Sequence, residues 1–265
     1  MTTQSPTVIA IGSLKGGVGK SMTAWMLARH LHARGLRTLA IDLDPGASLT
    51  RWSGVVNRIH VGHVLGGAVT PSAGIRLAAQ ISDCDVHVVP SHIDVTNVAH
   101  GLHTRQFNRV EALHNAILAT GNDWDVAIID APGGSDVLLI NAIYAADLVI
   151  VPSQPEDASI AYTRQTLDYI AQTVRAKHED IDAWVIATMV QYQTIGHRDG
   201  LDRLNQVSRI VTTIPQRKGE NADSELYSAY SGLAADVVGY VRGEQHHAAY
   251  RPLADKIARL IGAGA

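Results

Sequence analysis

Short apolar runs rich in β-branched residues recur along the chain, and longer stretches with apolar positions at helical spacing separate them. "TVIAIG" (7–12), "RTLAID" (37–42), "DVHVVP" (85–90), "WDVAIID" (124–130), "DLVIVP" (147–152), "AWVIATMV" (183–190) and "RIVTTIP" (209–215) read as strands. Residues 20–34 carry Ala24, Leu27, Ala28 and Leu31 on one helical face, and Gly35 is a natural C-terminal stop. Residues 97–119, 157–174 and 248–262 also read as helices, and "VLGGAVTPSAG" (64–74) as the most flexible loop. Apolar strands joined by helix-length crossovers predict an α/β fold: a mostly parallel twisted sheet with helices on both faces. Ligands of such sheets bind beyond the carboxyl ends of the strands. The polar signatures Gly12–Ser21, Asp42–Asp44 and Asp130 all follow strand ends. With no Pro/Gly/Ser-rich linker, repeat or low-complexity tract, residues 1–265 read as a single domain. Residues 1–6 read as a disordered tail, leaving no room for a separate DNA-reading module ahead of residue 7.

Composition narrows the class. An apolar content of 46% over 265 residues supports a large core. The single cysteine, Cys84, rules out an intrachain disulfide and a four-cysteine metal site, which suits a reducing cytoplasm. No basic leader opens the chain, and no run reaches the roughly 18–20 apolar residues of a membrane span. A net charge of −3 means that any contact with nucleic acid comes from a local patch.

The most informative segment is "GSLKGGVGKS" (12–21), directly after the first strand. Gly16, Gly17 and Gly19 permit a tight turn with N–H groups facing phosphate oxygens, and the following helix adds its positive end. Lys20 is placed to reach the β- and γ-phosphates, and the Ser21 hydroxyl to ligate Mg²⁺. The strict pattern G-x-x-x-x-G-K-S/T fails, because Leu14 occupies its first glycine position. A second lysine, Lys15, stands outside what one triphosphate needs.

"KGGVGKS" resembles the deviant Walker A loop of the ParA/MinD superfamily of P-loop ATPases. The resemblance runs from about residue 7 to 262. It implies a nucleotide-binding segment of Lys15, Gly16, Gly17, Val18, Gly19, Lys20, Ser21 and Met22. It also implies that Lys15 crosses a dimer interface to the phosphates held by a second subunit, a point charge acting like an arginine finger. "IDLDPGAS" (41–48) is similar to the family's D-x-D-P-Q segment, with Gly46 where the family has Gln. On that likeness Asp44 orients the attacking water and Asp42 supports the Mg²⁺ shell, so the catalytic set is Lys15, Lys20 and Asp44. "WDVAIIDAPGG" (124–134) looks like a Walker B strand, with Asp130 holding an Mg²⁺-bound water and Pro132, Gly133 and Gly134 as a γ-phosphate switch. The implied metal set is Ser21, Asp42 and Asp130, and the implied cofactors are ATP and Mg²⁺. "AADLVIVPSQPEDAS" (145–159) resembles a structural strand and loop that includes part of the dimer face. Met189 and Pro215 are candidates for adenine contacts, or plain strand-end residues.

Within the superfamily, Cys84 alone cannot supply the nitrogenase iron protein's cluster ligands, and one phosphate loop does not make a two-headed arsenite pump. Tyr227, Tyr230, Tyr240 and Tyr250 are too dispersed for a capsule-type tyrosine kinase tail. The C-terminal segment "YRPLADKIARLIGAGA" is amphipathic and reads as a helix docked on the sheet, with a MinD-like membrane contact as the alternative. The ParA branch remains, in its short form without a helix-turn-helix. It implies an ATP-dependent homodimer, non-specific DNA binding, a ParB-like partner that stimulates slow hydrolysis, and a nucleoid-associated place in the cytoplasm. Residues 198–218 hold Arg198, Arg203, Arg209, Arg217 and Lys218 against Asp199 and Asp202. Arg198, Arg203, Arg217 and Lys218, with Arg242, are the candidate DNA contacts. A solvated surface patch, and a positioning ATPase for another cargo, are the competing readings.

Overall fold

The computed structural model describes residues 5–56, 58–82, 84–104, 110–134, 137–177, 181–216 and 244–262. Eight strands form one sheet in the order β3-β4-β2-β5-β1-β6-β7-β8, parallel throughout except for β3 against β4. The strands are β1 (Thr7–Ser13), β2 (Thr38–Asp42), β3 (Gln80–Ile81), β4 (His87–Val89), β5 (Val126–Gly133), β6 (Leu148–Ser153), β7 (Asp182–Val190) and β8 (Ile210–Pro215). The helices are α1 (Lys20–His32), α2 (Ser48–Ser53), α3 (Val61–Gly66), α4 (Pro71–Ala78), α5 (Val95–Thr104), α6 (Ala112–Leu118), α7 (Val137–Ala145), α8 (Asp157–Lys177), α9 (Ile195–Val207) and α10 (Glu244–Leu260).

The period-2 alternation of a strand sorts the core into two layers. Ile9, Ile11, Ala40, Ile128, Ile150 and Ile186 face α1, α2 and α10, while Val8, Ala10, Ile41, Ile129, Val149 and Val185 face α3–α9. Every residue of β2 and β6 is buried, which is why the central strands read as continuous apolar runs. α10 packs on α1 with Tyr250, Leu253, Ala254 and Ile257 buried, and Arg34 pairs with Asp255. Its apolar face is therefore committed to the sheet. No helix among the described residues is long and apolar enough to cross a membrane.

The structure corrects the pattern between residues 43 and 119. The expected loop 64–74 holds the end of α3 and the start of α4, and α2 was not foreseen. These helices are six to eight residues long, too short for a 3.6-residue period to stand out. The expected helix 97–119 is two helices, α5 and α6, with residues 105–109 outside the description. β3 is a two-residue antiparallel edge strand and was also missed.

Candidate nucleotide site

β1 lies at the centre of the sheet between β5 and β6, and its carboxyl end opens into the glycine turn. Gly17 (φ 73°) and Gly19 (φ 87°) are in the left-handed region, where a side chain is strained. Gly19 caps α1 without any side-chain hydrogen bond, so the helix presents its first N–H groups to the turn. Val18 is buried, and its carbonyl accepts the Thr188 hydroxyl at 2.8 Å, anchoring the loop to β7. Met22, in the first turn of α1, packs against the core, and Ser21 follows Lys20 at the start of the helix.

Lys20 is 7% exposed, and its Nζ donates to the Lys15 carbonyl at 3.2 Å. Burial lowers its pKa, against the opposing pull of Asp130 and Asp44. A Cβ added at Gly133 would stand 3.3 Å from Lys20 Nζ and 3.5 Å from Gly16 Cα. The residue after Pro132 therefore sits close against Lys20 and Gly16, and any side chain there would crowd the lysine tip.

Asp42, the last residue of β2, and Asp130, inside β5, are register partners on adjacent strands, and both are fully buried. The Asp42 carboxylate is held on both sides. Its Oδ1 accepts the Asp44 N–H at 3.2 Å, while its Oδ2 accepts the Thr50 N–H at 2.8 Å and the Thr50 hydroxyl at 2.7 Å. Burial still pushes its pKa up to about 6, with the Thr50 and Asp44 hydrogen bonds pulling the other way. Asp130 is raised well above the ordinary carboxylate value, first by burial and then by the Asp42 charge. The nearby Ser21 hydroxyl favours its charged form, yet neither Asp130 oxygen has a partner of hydrogen-bond geometry among the described residues. Two buried carboxylates beside a serine hydroxyl, with two oxygens unsatisfied, are the donor set of a hard divalent cation such as Mg²⁺. Asp44 is half-buried, and its Oδ1 accepts the Gly46 N–H at 2.7 Å in a tight Asp-Pro-Gly turn. A Cβ at Gly46 would come within 3.1 Å of that oxygen, so glycine leaves Asp44 more room than a longer residue.

Lys15 is held apart from this corner. Its Nζ donates to Gln154 Oε1 at 3.2 Å and pairs with Glu156 at 3.6 Å, both in the β6–α8 loop of the same chain. Gln154 also donates from Nε2 to Met189 Sδ at 2.7 Å. The Met189 methyl lies 3.8 Å from where a Gly19 Cβ would stand, so Met189 rests against the phosphate loop in an unusual backbone conformation (φ 53°). Pro215 pairs in register with Val190 at the end of β8. Thr50, Gln154 and Glu156 were not picked out as site residues. Only their nearness to the Asp42–Asp44 and strand-end motifs could have signalled them.

The basic candidates divide. Arg198 donates from Nε to the Tyr192 carbonyl at 2.8 Å, and Arg203 pairs with Asp157 at 2.9 Å. The second pair neutralises part of the excess charge counted in the sequence. Arg217, Lys218 and Arg242 lie outside the described residues.

Comparison with known proteins agrees with this geometry. Residues 6–183 match the family model described as an AAA domain. The chain is 30% identical over 192 residues to the sporulation initiation inhibitor protein Soj of Bacillus subtilis, covering 71% of this chain and 74% of that protein. It is 31% identical over 168 residues to the chromosome partitioning protein ParA of Myxococcus xanthus, covering 62% and 59% of the two chains. The matched segments span about half of the first curated relatives, from 45% to 59% of their length. Among solved structures, cobyrinic acid a,c-diamide synthase from Mycobacterium smegmatis with bound ADP and magnesium superposes with a TM-score of 0.80. It is 28% identical and is matched over 98% of this chain and 97% of that one. On the family match and these relatives, the chain belongs to the ParA/Soj/MinD family of P-loop ATPases.

Proposed function

We propose that this chain is a Mg²⁺- and ATP-dependent dimerising switch for DNA partition, with residues 1–265 working as one ATPase domain. Lys20, Ser21 and the N–H groups of residues 16–20 bind the triphosphate. Asp42, Asp130 and Ser21 would hold the metal, which would supply charge neutralisation at the phosphates. Asp44, the more accessible carboxylate, orients the attacking water. Lys15 leaves Gln154 and Glu156 and reaches the phosphates of a second copy. Met189 and Pro215 border the base. Arg198 and Arg203, with Arg217, Lys218 and Arg242, supply salt-sensitive contacts to DNA of any sequence once two chains are joined. A ParB-like partner speeds an otherwise slow hydrolysis and releases the DNA, which places the protein on the nucleoid in the cytoplasm.

The observation that supports this reading most is the division between the lysines. Lys20 fills its own chain's cradle, whereas Lys15 stands on the rim in a partly exposed pair with Glu156. The test uses Asp44→Ala in an electrophoretic shift with random-sequence DNA over a salt series. The variant is expected to bind DNA with ATP as the unmodified chain does, while losing at least about 100-fold in turnover. Normal turnover in Asp44→Ala would remove the assigned water-orienting role. No ATP-dependent shift in either protein would remove DNA as the target.

A further inference from the structure

Outside the nucleotide site, three imidazoles and a carboxylate converge on one corner at the carboxyl end of β4. We propose that His60, His92 and Asp94 form a site for a borderline transition-metal dication of the Zn²⁺ class. Their ligand atoms all lie within 4.8 Å of one another. His92 Nδ1 and an Asp94 carboxylate oxygen are 3.0 Å apart, near the roughly 3.3 Å between two ligands on a tetrahedral zinc with bonds of about 2 Å. The His60 ring centroid is 5.0 Å from that of His92. Closing the set onto one cation therefore takes a side-chain movement of about an ångström or two.

The ligands stand on two segments that are already fastened together. His60 caps α3, and the next residue, Val61, donates its N–H to the Pro90 carbonyl at 2.9 Å. The 91–94 segment follows directly, and the Ser91 N–H donates to the Thr50 hydroxyl at 2.8 Å. Gly62 gives the His60 ring its place, since a Cβ there would stand 2.9 Å from Nδ1 and Cε1. His60 is 7% exposed, while the His92 and Asp94 side chains are 53% and 59% exposed, so the corner opens to solvent on one side. A cation could enter there and keep one or two waters.

Chemistry selects the metal. Two imidazole nitrogens and one carboxylate suit Zn²⁺, Co²⁺ or Ni²⁺ and not Mg²⁺, which prefers the all-oxygen corner at Asp42 and Asp130. His60 Nδ1 accepts the Gly62 N–H at 3.2 Å and His92 Nδ1 the Asp94 N–H at 3.3 Å, and coordination through either nitrogen gives up that long contact. His63, with its ring centroid 4.0 Å from that of His60, is the reserve nitrogen donor. A bound ion would fasten α3 to the segment that holds Thr50, and Thr50 in turn holds Asp42.

The test titrates Zn²⁺ into the metal-free full chain against a chromophoric chelator, in excess Mg²⁺. The unmodified chain is expected to take up one Zn²⁺. His92→Ala and Asp94→Asn change exposed side chains, and each is expected to weaken uptake at least as much as the roughly tenfold loss that follows removal of an outer-shell partner. His100→Ala, at an exposed histidine outside the cluster, is expected to leave uptake unchanged. Circular dichroism of each variant confirms the fold before titration. Absence of stoichiometric uptake by the unmodified chain would overturn the site. So would uptake that His92→Ala and Asp94→Asn leave intact.

Discussion

The buried corner and the rim of the nucleotide site are built on opposite principles. In the corner, Lys20, Asp42 and Asp130 are fully or nearly fully buried, and the Asp130 oxygens have no partner among the described residues. At the rim, Lys15 holds Glu156 in a pair whose side chains are 22% and 52% exposed. Desolvated charge is costly until a ligand of opposite sign arrives, so the corner is primed to bind. An exposed pair contributes roughly 0–1 kcal/mol, so the rim can exchange partners at little cost. On the proposed function, binding strength belongs to the first region and switching to the second.

The largest expected effect is in the corner. Lys20→Ala removes the one cation of the cradle, and nucleotide affinity is expected to fall by more than about 100-fold, which is about 2.7 kcal/mol. Isothermal titration with a slowly hydrolysed ATP analogue measures it, and an unchanged affinity would move the phosphate site elsewhere.

Gly200 sharpens the contrast from the rim side. A Cβ on this α9 residue would fall well inside contact distance of the Pro155 carbonyl, between Gln154 and Glu156. Gly200→Ala is expected to cost about 1–3 kcal/mol in chemical denaturation by forcing α9 away from that loop. It should leave the affinity of a single chain for nucleotide nearly unchanged.

A subtler effect comes from Asp130→Asn. In the metal-free protein this change replaces a buried carboxyl that burial makes hard to ionise with a neutral amide, and a gain of about 1–2 kcal/mol is expected near pH 7. The native pKa of Asp130 is raised, so its contribution to stability is fully present below the ordinary carboxylate range and is lost as pH rises toward the native value. The advantage of the asparagine should therefore grow with pH above about 4, whereas Mg²⁺-dependent nucleotide binding should weaken. Thermal melts of both proteins across pH check the sign. A constant difference would mean that Asp130 is not the titrating group.

Much of the fold was legible because its signals were strong. The seven strand runs correspond to β1, β2 and β4–β8, since a centrally buried strand shows as a continuous apolar run. The region 43–119 was harder to read. Its helices are short, and α4 and α5 pack within one crowded layer instead of repeating one clear face. In the site, Lys20, Asp42 and Asp130 were legible because each stands in a fixed motif, at the opening of a helix, at the end of a strand or late within one. Thr50, eight residues after Asp42, and Glu156, well over a hundred residues after Lys15, meet their partners only through tertiary folding. The histidine cluster was equally hidden, because His60 and His92 are brought together by the Val61–Pro90 backbone bond.

The most direct measurement of the central claim is sedimentation of the Lys15→Ala chain with Mg²⁺ and a slowly hydrolysed ATP analogue. The expected result is a chain that binds the analogue with an affinity close to that of the unmodified protein but remains monomeric, while the unmodified chain dimerises. A Lys15→Ala chain that dimerises as readily as the unmodified protein would contradict the assignment of this lysine to the partner's phosphates.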